Sequence, residues 1–266
     1  MAARGSAKSL ALAVALMTVV PSGGSAQDSD VQKKLSNPVA SLTTVPIQVN
    51  YDARIGPLED GHRITTNVQP VIPFKLDSQW SLVVRTILPI ISQDNIFPNA
   101  GDQFGLGDTL QSFFLVPQTV GGFTWGAGPA VLWRTGTDRL LTGGKWAAGP
   151  TAVALQQTGP WTIGVLTNHV WSFAGDDDRA DVSSTFIQPF IAYAASGGWT
   201  YTLNTESSYD WIAEQWSVPV NFQITKLTKL GDQPISIGGG VKYWAESPDS
   251  GPHGWGGRFI LTFIFP

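Results

Sequence analysis

Residues 254–265 read Gly-Trp-Gly-Gly-Arg-Phe-Ile-Leu-Thr-Phe-Ile-Phe. Trp255, Gly257, Phe259, Leu261, Phe263 and Phe265 share one parity, and Gly256, Arg258, Ile260 and Thr262 share the other. A period of two is the repeat of a β-strand, whose side chains alternate between faces. Bulky apolar groups on one side and an arginine on the other suit an apolar medium outside and a polar space inside. The same alternation runs through 79–91, where Trp80, Leu82 and Val84 oppose Ser81, Val83 and Arg85. In 199–209, Trp199, Tyr201 and Leu203 oppose Thr200, Thr202, Asn204 and Glu206. In 234–245, Ile235, Ile237, Val241 and Tyr243 oppose Ser236, Gly238, Lys242 and Trp244.

Working outward, strand-like segments with turn signals between them occupy 46–54, 62–75, 79–91, 104–116, 122–135, 145–157, 161–173, 183–195, 199–209, 215–228, 234–245 and 254–265. They exceed the about 5–6 residues usual in globular proteins. They meet the roughly 9–11 residues that a tilted strand needs to cross a bilayer. Connections after the even-numbered segments are short, and most after the odd-numbered ones are longer and more polar. Short turns at one end and long loops at the other are expected of an outer-membrane barrel, with the short turns toward the periplasm. The sequence therefore predicts an all-β fold: a transmembrane antiparallel barrel of about twelve strands.

Tryptophan supplies a third signal. Trp80, Trp125, Trp161 and Trp199 open segments just after short turns. Trp133, Trp146, Trp171, Trp211, Trp216, Trp244 and Trp255 lie beside the longer loops. Two sets at opposite strand ends fit two interfacial girdles. The alternative, a soluble β-sandwich, would place its aromatic residues mid-strand. Against the barrel stand Pro70, Pro73, Pro89, Pro129, Pro150, Pro189 and Pro219, each inside an expected strand. Each removes a ladder donor, so bulges or exits from the hydrocarbon zone are expected there. A local echo links Trp125-Gly-Ala-Gly-Pro129 to Trp146-Ala-Ala-Gly-Pro150.

The chain divides into three parts. Residues 1–26 read as an export signal: Arg4 and Lys8, the apolar run Leu10–Val20, then Gly24-Ser25-Ala26. Residues 27–45 form an N-terminal arm, a mobile tail over Gln27–Lys34 followed by one helical turn or an extended stretch at Asn37–Leu42. Residues 46–266 form the barrel. Composition agrees: 42% hydrophobic and only 14% charged residues, against roughly 25% charged in soluble domains. The formal charge of −4 leaves no basic footprint for nucleic acid. The absence of cysteine excludes disulfides, thiolate metal sites and cysteine nucleophiles.

Several runs carry a resemblance. These are Leu35–Leu42, Val45-Pro46, Asn67–Phe74, Arg85–Pro89, Gly105–Asp108, Ala148–Thr151, Ala174–Arg179 and Asn204–Ser207. From about residue 35 to its C-terminus the chain resembles bacterial exported "transporter" barrels, often mislabelled neuromedin U. That group is related to the phenol-degradation MetA-pathway family of outer-membrane proteins. The resemblance implies an outer-membrane barrel for uptake of small, often aromatic or hydrophobic, compounds. Barrel chains usually end in an aromatic residue that the barrel-assembly machinery reads. Here Leu261, Phe263 and Phe265 keep that spacing and Pro266 follows.

The expected pore-lining residues are Arg85, Glu206, Lys242 and Arg258, with Asn67, Gln69, Gln111, Asn168, Asn204, Asn221 and Gln223. Charges facing lipid at the midplane would cost about 2–4 kcal/mol, so they should point inward. They form either a selective constriction or a hydrogen-bonded fill of the lumen. Asp176-Asp177-Asp178 reads as a solvated loop rather than a metal site, lacking the full calcium-loop pattern. His169 and Ser172 point to opposite faces of one strand, and no Gly-x-Ser-x-Gly occurs. The expectation is therefore a channel with no enzymatic activity, cofactor or metal. Its partners would be outer-membrane lipid, the assembly machinery and a small-molecule solute. The alternative is a closed structural or ligand-binding barrel. Composition carries no signal for monomer or dimer.

Overall fold

A computed structural model describes residues 26–265. The expected signal, apart from Ala26, and the terminal Pro266 lie outside the described residues. Helix α1 spans Ala26–Leu35. The strands are β1 (Thr43–Ile55), β2 (Gly61–Val68), β3 (Val71–Lys75), β4 (Trp80–Asp94), β5 (Gln103–Leu106), β6 (Thr109–Pro117), β7 (Phe123–Trp133) and β8 (Lys145–Thr158). They continue as β9 (Trp161–Gly175), β10 (Ser183–Ala194), β11 (Trp199–Thr205), β12 (Ser207–Asp210), β13 (Gln215–Leu230), β14 (Gln233–Glu246) and β15 (Gly254–Phe265).

Three expected segments are each interrupted once, giving β2 with β3, β5 with β6, and β11 with β12. Counted as staves, the strands form a closed twelve-stranded antiparallel barrel. β15 pairs back onto β1, from Thr43↔Phe265 to Tyr51↔Gly257. Closure leaves no unpaired edge, which hydrocarbon would not tolerate. The inner end carries the short connections 76–79, 118–122, 159–160, 195–198 and 231–232. The outer end carries 56–60, 95–102, 134–144, 176–182, 211–214 and 247–253.

Most of the prolines sit where the ladder already breaks. Pro70 lies between β2 and β3, where Gln69 N donates to Pro46 O and Thr86 N to Pro70 O. Pro219 lies at a register shift between β13 and β14. Pro129 and Pro150 face each other across β7 and β8. On their far sides, register is missing at Gly128-Pro129 toward β6 and at Gly149-Pro150 toward β9. The sequence echo therefore places two ladder gaps back to back. Glycine is required beside each: a Cβ would lie 1.9 Å from Phe113 O at Gly128 and 1.9 Å from His169 O at Gly149. Pro73 and Pro189 remain in register with Val83 and Val165.

Parity sorts the two faces. Trp255, Phe259, Ile163, Phe173 and Leu203 are exposed on the outside, while Arg258, Leu166, Asn204 and Phe114 are buried inside. An apolar outer belt of this kind is the surface of a membrane-spanning barrel. Inside, Val71, Val83, Phe114, Val116, Val153, Leu155 and Leu166 form an apolar cluster along one wall, backed by Phe186 and Phe190.

The expected mobile tail is instead helix α1, and the arm enters the lumen at the inner end. Tertiary contacts order it. Val31 and Leu35 pack with Ala40, Leu42, Leu227 and Ile264. Gln32 donates to Trp199 O at 2.8 Å and Ala195 O at 3.3 Å, and Lys33 O accepts from Gln157 at 2.8 Å. Lys33 and Lys34 lie in the last turn, where the helix dipole favours cations. After α1, Asn37 caps a tight turn by accepting from Val39 N at 2.9 Å. Val39 then inserts into the apolar wall.

Phe114 is fully buried in that wall. Phe114→Ala should cost about 3–5 kcal/mol, read as a lowered urea midpoint of the barrel folded in lipid vesicles.

Candidate functional site

The polar wall of the lumen is built by the even residues of β1 and β15 and their neighbours. Asn50 and Asp52 alternate with Val49 and Tyr51, and Asn50 stands opposite Arg258 across the closing seam. Arg258 Nε donates to Asn50 Oδ1 at 2.8 Å. Its two terminal nitrogens hold Glu206 at 2.9 and 2.7 Å, a bidentate pair in which the arginine side chain is 1% exposed. Glu206 reaches across because the chain breaks between β11 and β12 at this residue. One layer further out, Lys242 Nζ meets Asp52 at 3.0 and 3.2 Å, and Trp244 Nε1 donates to the same carboxylate at 2.8 Å. Arg63 donates to Gln93 at 2.8 Å, and Gln93 to Gln103 at 3.0 Å.

Arg85 projects from β4, joined to β1 through β2 and β3, and donates to Gln69 Oε1 at 3.1 Å. Between this wall, the arm and β10–β15 lies a cavity of about 230 Å³. Its lining brings together Arg85, Glu206, Arg258, Gln69, Asn204 and Gln223. Asn67, Asn168, Asn221 and Lys242 have inward parity but lie outside that lining. Asn221 donates to Asn204 at 2.9 Å.

Two expected positions are corrected. Gln111 faces outward, not into the lumen: it pairs with Thr86, donating to its hydroxyl at 3.1 Å, while its neighbour Ser112 is buried within. The residue was assigned by type, whereas parity on β6 is fixed by Phe114. Trp244 is not a girdle residue. It shares the parity of Lys242, turns inward and binds Asp52. At the inner end Trp80 and Trp125 stack edge to face at 6.1 Å, and Trp161 and Trp199 are exposed. At the outer end Trp133 and Trp146 pair at 5.6 Å, and Trp171, Trp216 and Trp255 are exposed. His169 also faces outward, bonded to Thr185 at 2.7 Å and packed on Trp171.

Asp52, Asn50, Arg63 and Gln32 were not singled out from the sequence. The inward parity of β1 that puts Asn50 opposite Arg258 also puts Asp52, two residues on, in the lumen. Nothing local marks Gln32, whose partners are more than a hundred residues away. The acidic loop is solvated as expected, and its exposed carboxylates also pair with cations at the outer end. Arg134 pairs with Asp176 at 2.7 Å, Arg139 with Asp178 at 2.6 Å and Lys145 with Asp181 at 3.2 Å. The hydrogen bond from Arg139 holds the Asp178 carboxyl below its usual range, and those from Lys145 and then Ser172 do the same for Asp181. Asp108 fastens the 134–144 loop from beneath, accepting from Gly136 N, Gly143 N and the Thr142 hydroxyl.

The closed ladder, the apolar belt and the paired girdles define a transmembrane β-barrel of the outer-membrane type. No family model matches the chain, and no curated protein matches it. Solved structures do. The fold is similar to that of an outer membrane channel from Pseudomonas putida F1, with TM-score 0.66 and 13% identity over 85% of this chain and 96% of that one. A NanC porin superposes with TM-score 0.53 and 9% identity over 84% and 99%. Outer membrane phospholipase A from Escherichia coli gives TM-score 0.49 and 10% identity over 84% and 96%, a looser match that carries no argument about activity.

The Asp52–Lys242 pair is buried on both sides. Asp52→Leu or Lys242→Met alone should destabilise the barrel by about 3–5 kcal/mol, and the double substitution should recover much of that. Urea unfolding of the three variants in vesicles gives the coupling directly.

Proposed function

We propose that the chain is a passive outer-membrane channel for small solutes, with the arm as a plug at its inner mouth. The observation that carries this is the cavity between the arm and the polar wall, lined by charged and amide side chains. A lumen meant only as filler would be packed through. Here one wall is dry and apolar and the other is polar, so a solute with an apolar body and a polar edge fits between them. The volume lies just under the roughly 300–1,000 Å³ of drug-sized pockets, which suits small compounds. The likeness to an outer membrane channel and a porin supports the same function, as does the resemblance to exported transporter barrels. Movement would follow the solute gradient, with no catalytic step. His169, the one strand histidine in a candidate hydrolytic position, faces the lipid side and bonds to a threonine.

Single-channel recording in planar bilayers tests this. Discrete conductance steps are expected, and Gln32→Ala should make them larger or more frequent by loosening α1. Glu206→Ala should shift the reversal potential in asymmetric salt toward anions, because it removes the only carboxylate lining the cavity among the described residues. Silence from a barrel shown to be folded and inserted would reject the channel.

A further inference from the structure

We propose that the lumenal cavity is a binding site for a small monocarboxylate, an apolar body bearing one carboxylate, held by Arg85. The inference rests on the channel assignment and specifies the solute it would take.

The charge inventory points there. Arg258 is spent on Glu206 and Asn50, and Lys242 on Asp52. Arg85 has no carboxylate partner among the described residues; its one side-chain hydrogen bond goes to the neutral Gln69. A guanidinium has five N–H donors in a planar fork, so most of them remain unspent at the cavity wall. The negative charge that acts on Arg85 is Glu206, whose two oxygens are already held by Arg258, so the free guanidinium donors still need water or an anion to meet them. The planar fork matches a carboxylate better than it matches a spherical halide.

The rest of the cavity sets the class. Val71, Phe190, Leu227 and Ile260 line it and offer an apolar seat. The buried Gln223 Oε1 has no hydrogen-bond partner and lines the same space, an acceptor that water can serve and a carboxylate cannot. At the depth of Arg85, that residue and Arg258 against Glu206 leave one excess positive charge, while Lys34, the third cation of the lining, is exposed on α1 where water screens it, so one carboxylate is balanced at that depth and a second would meet Glu206. The cavity therefore favours monoanions over dicarboxylates and polyanions.

The test uses the barrel in detergent and in planar bilayers, with benzoate as probe, benzamide as its neutral isostere and succinate as a dianion. Tryptophan fluorescence and calorimetry read binding, and the recordings read flux. Saturable benzoate binding is expected, with benzamide and succinate weaker by about tenfold or more. Arg85→Gln should abolish the preference for benzoate over benzamide, and Arg85→Lys should retain part of it. If Arg85→Gln fails to give the heat-resistant folded band, Arg85→Lys alone decides, through loss of at least part of that preference. Equal binding of benzoate and benzamide by the unmodified barrel would overturn the proposal. So would an Arg85→Gln change that alters chloride and benzoate flux in proportion, since that is a general field and not a site. Conduction without benzoate selectivity defeats this proposal alone. Benzoate binding without conduction supports the site while defeating the channel.

Discussion

A chain crossing hydrocarbon must satisfy every backbone N–H and C=O from within itself, and this structure depends on that requirement. The β1–β15 seam from Thr43↔Phe265 to Tyr51↔Gly257 meets it, because without that pairing two edges would face lipid. Closure then fixes everything inside. It sets Asn50 against Arg258, brings Asp52 within reach of Lys242 and Trp244, and holds β11–β12 where Glu206 spans the gap. The prolines at ladder gaps show the same rule from the other side. Pro129 and Pro150 face each other with the missing register on their outer flanks, beside glycines that let neighbouring carbonyls approach closely. The ladder is interrupted in one confined place and not along its length.

With the backbone satisfied, the lumen is decided by side chains alone. One wall excludes water by packing Val83, Phe114, Leu155 and Leu166. The facing wall concentrates its charges into pairs that need each other, since a lone partner left in a confined space is strongly unfavourable. The arm lies between the two walls with Val39 on the apolar side, and Gln32 ties α1 to the turn between β10 and β11. Position in the lumen therefore sorts the charges into the ion pairs, Arg63 bonded to Gln93 away from the cavity, and Arg85, which faces the open space.

The strands were legible in the sequence because parity is local: apolar and polar residues alternate along Gly254–Phe265 and its counterparts, and membrane burial enforces that alternation. The lumen was legible only where residue type and parity agree, as for Arg85, Lys242 and Arg258. Gln111 misled because a polar side chain on the outer face can bond to a neighbour's hydroxyl, here Thr86. Trp244 misled because an indole beside a long loop is also a hydrogen-bond donor, and Asp52 claims it. The arm could not be read as ordered, since α1 is mostly polar and its fold comes from contacts with distant strands. The partners of the solvated acidic loop were hidden for the same reason: Arg134 and Arg139 come from a different loop and Lys145 from the start of β8.

The arm has one more consequence, arising from covalent attachment. The segment that fills the inner lumen runs directly into β1 at Thr43 and cannot diffuse away when it lets go. A released arm still samples the lumen at an effective concentration that for short flexible tethers is in the millimolar range. Under the proposed channel function, a solute that passes beyond the cavity through the inner mouth would compete with a resident of the same chain, and would displace the arm only when abundant on that scale or better matched to the walls.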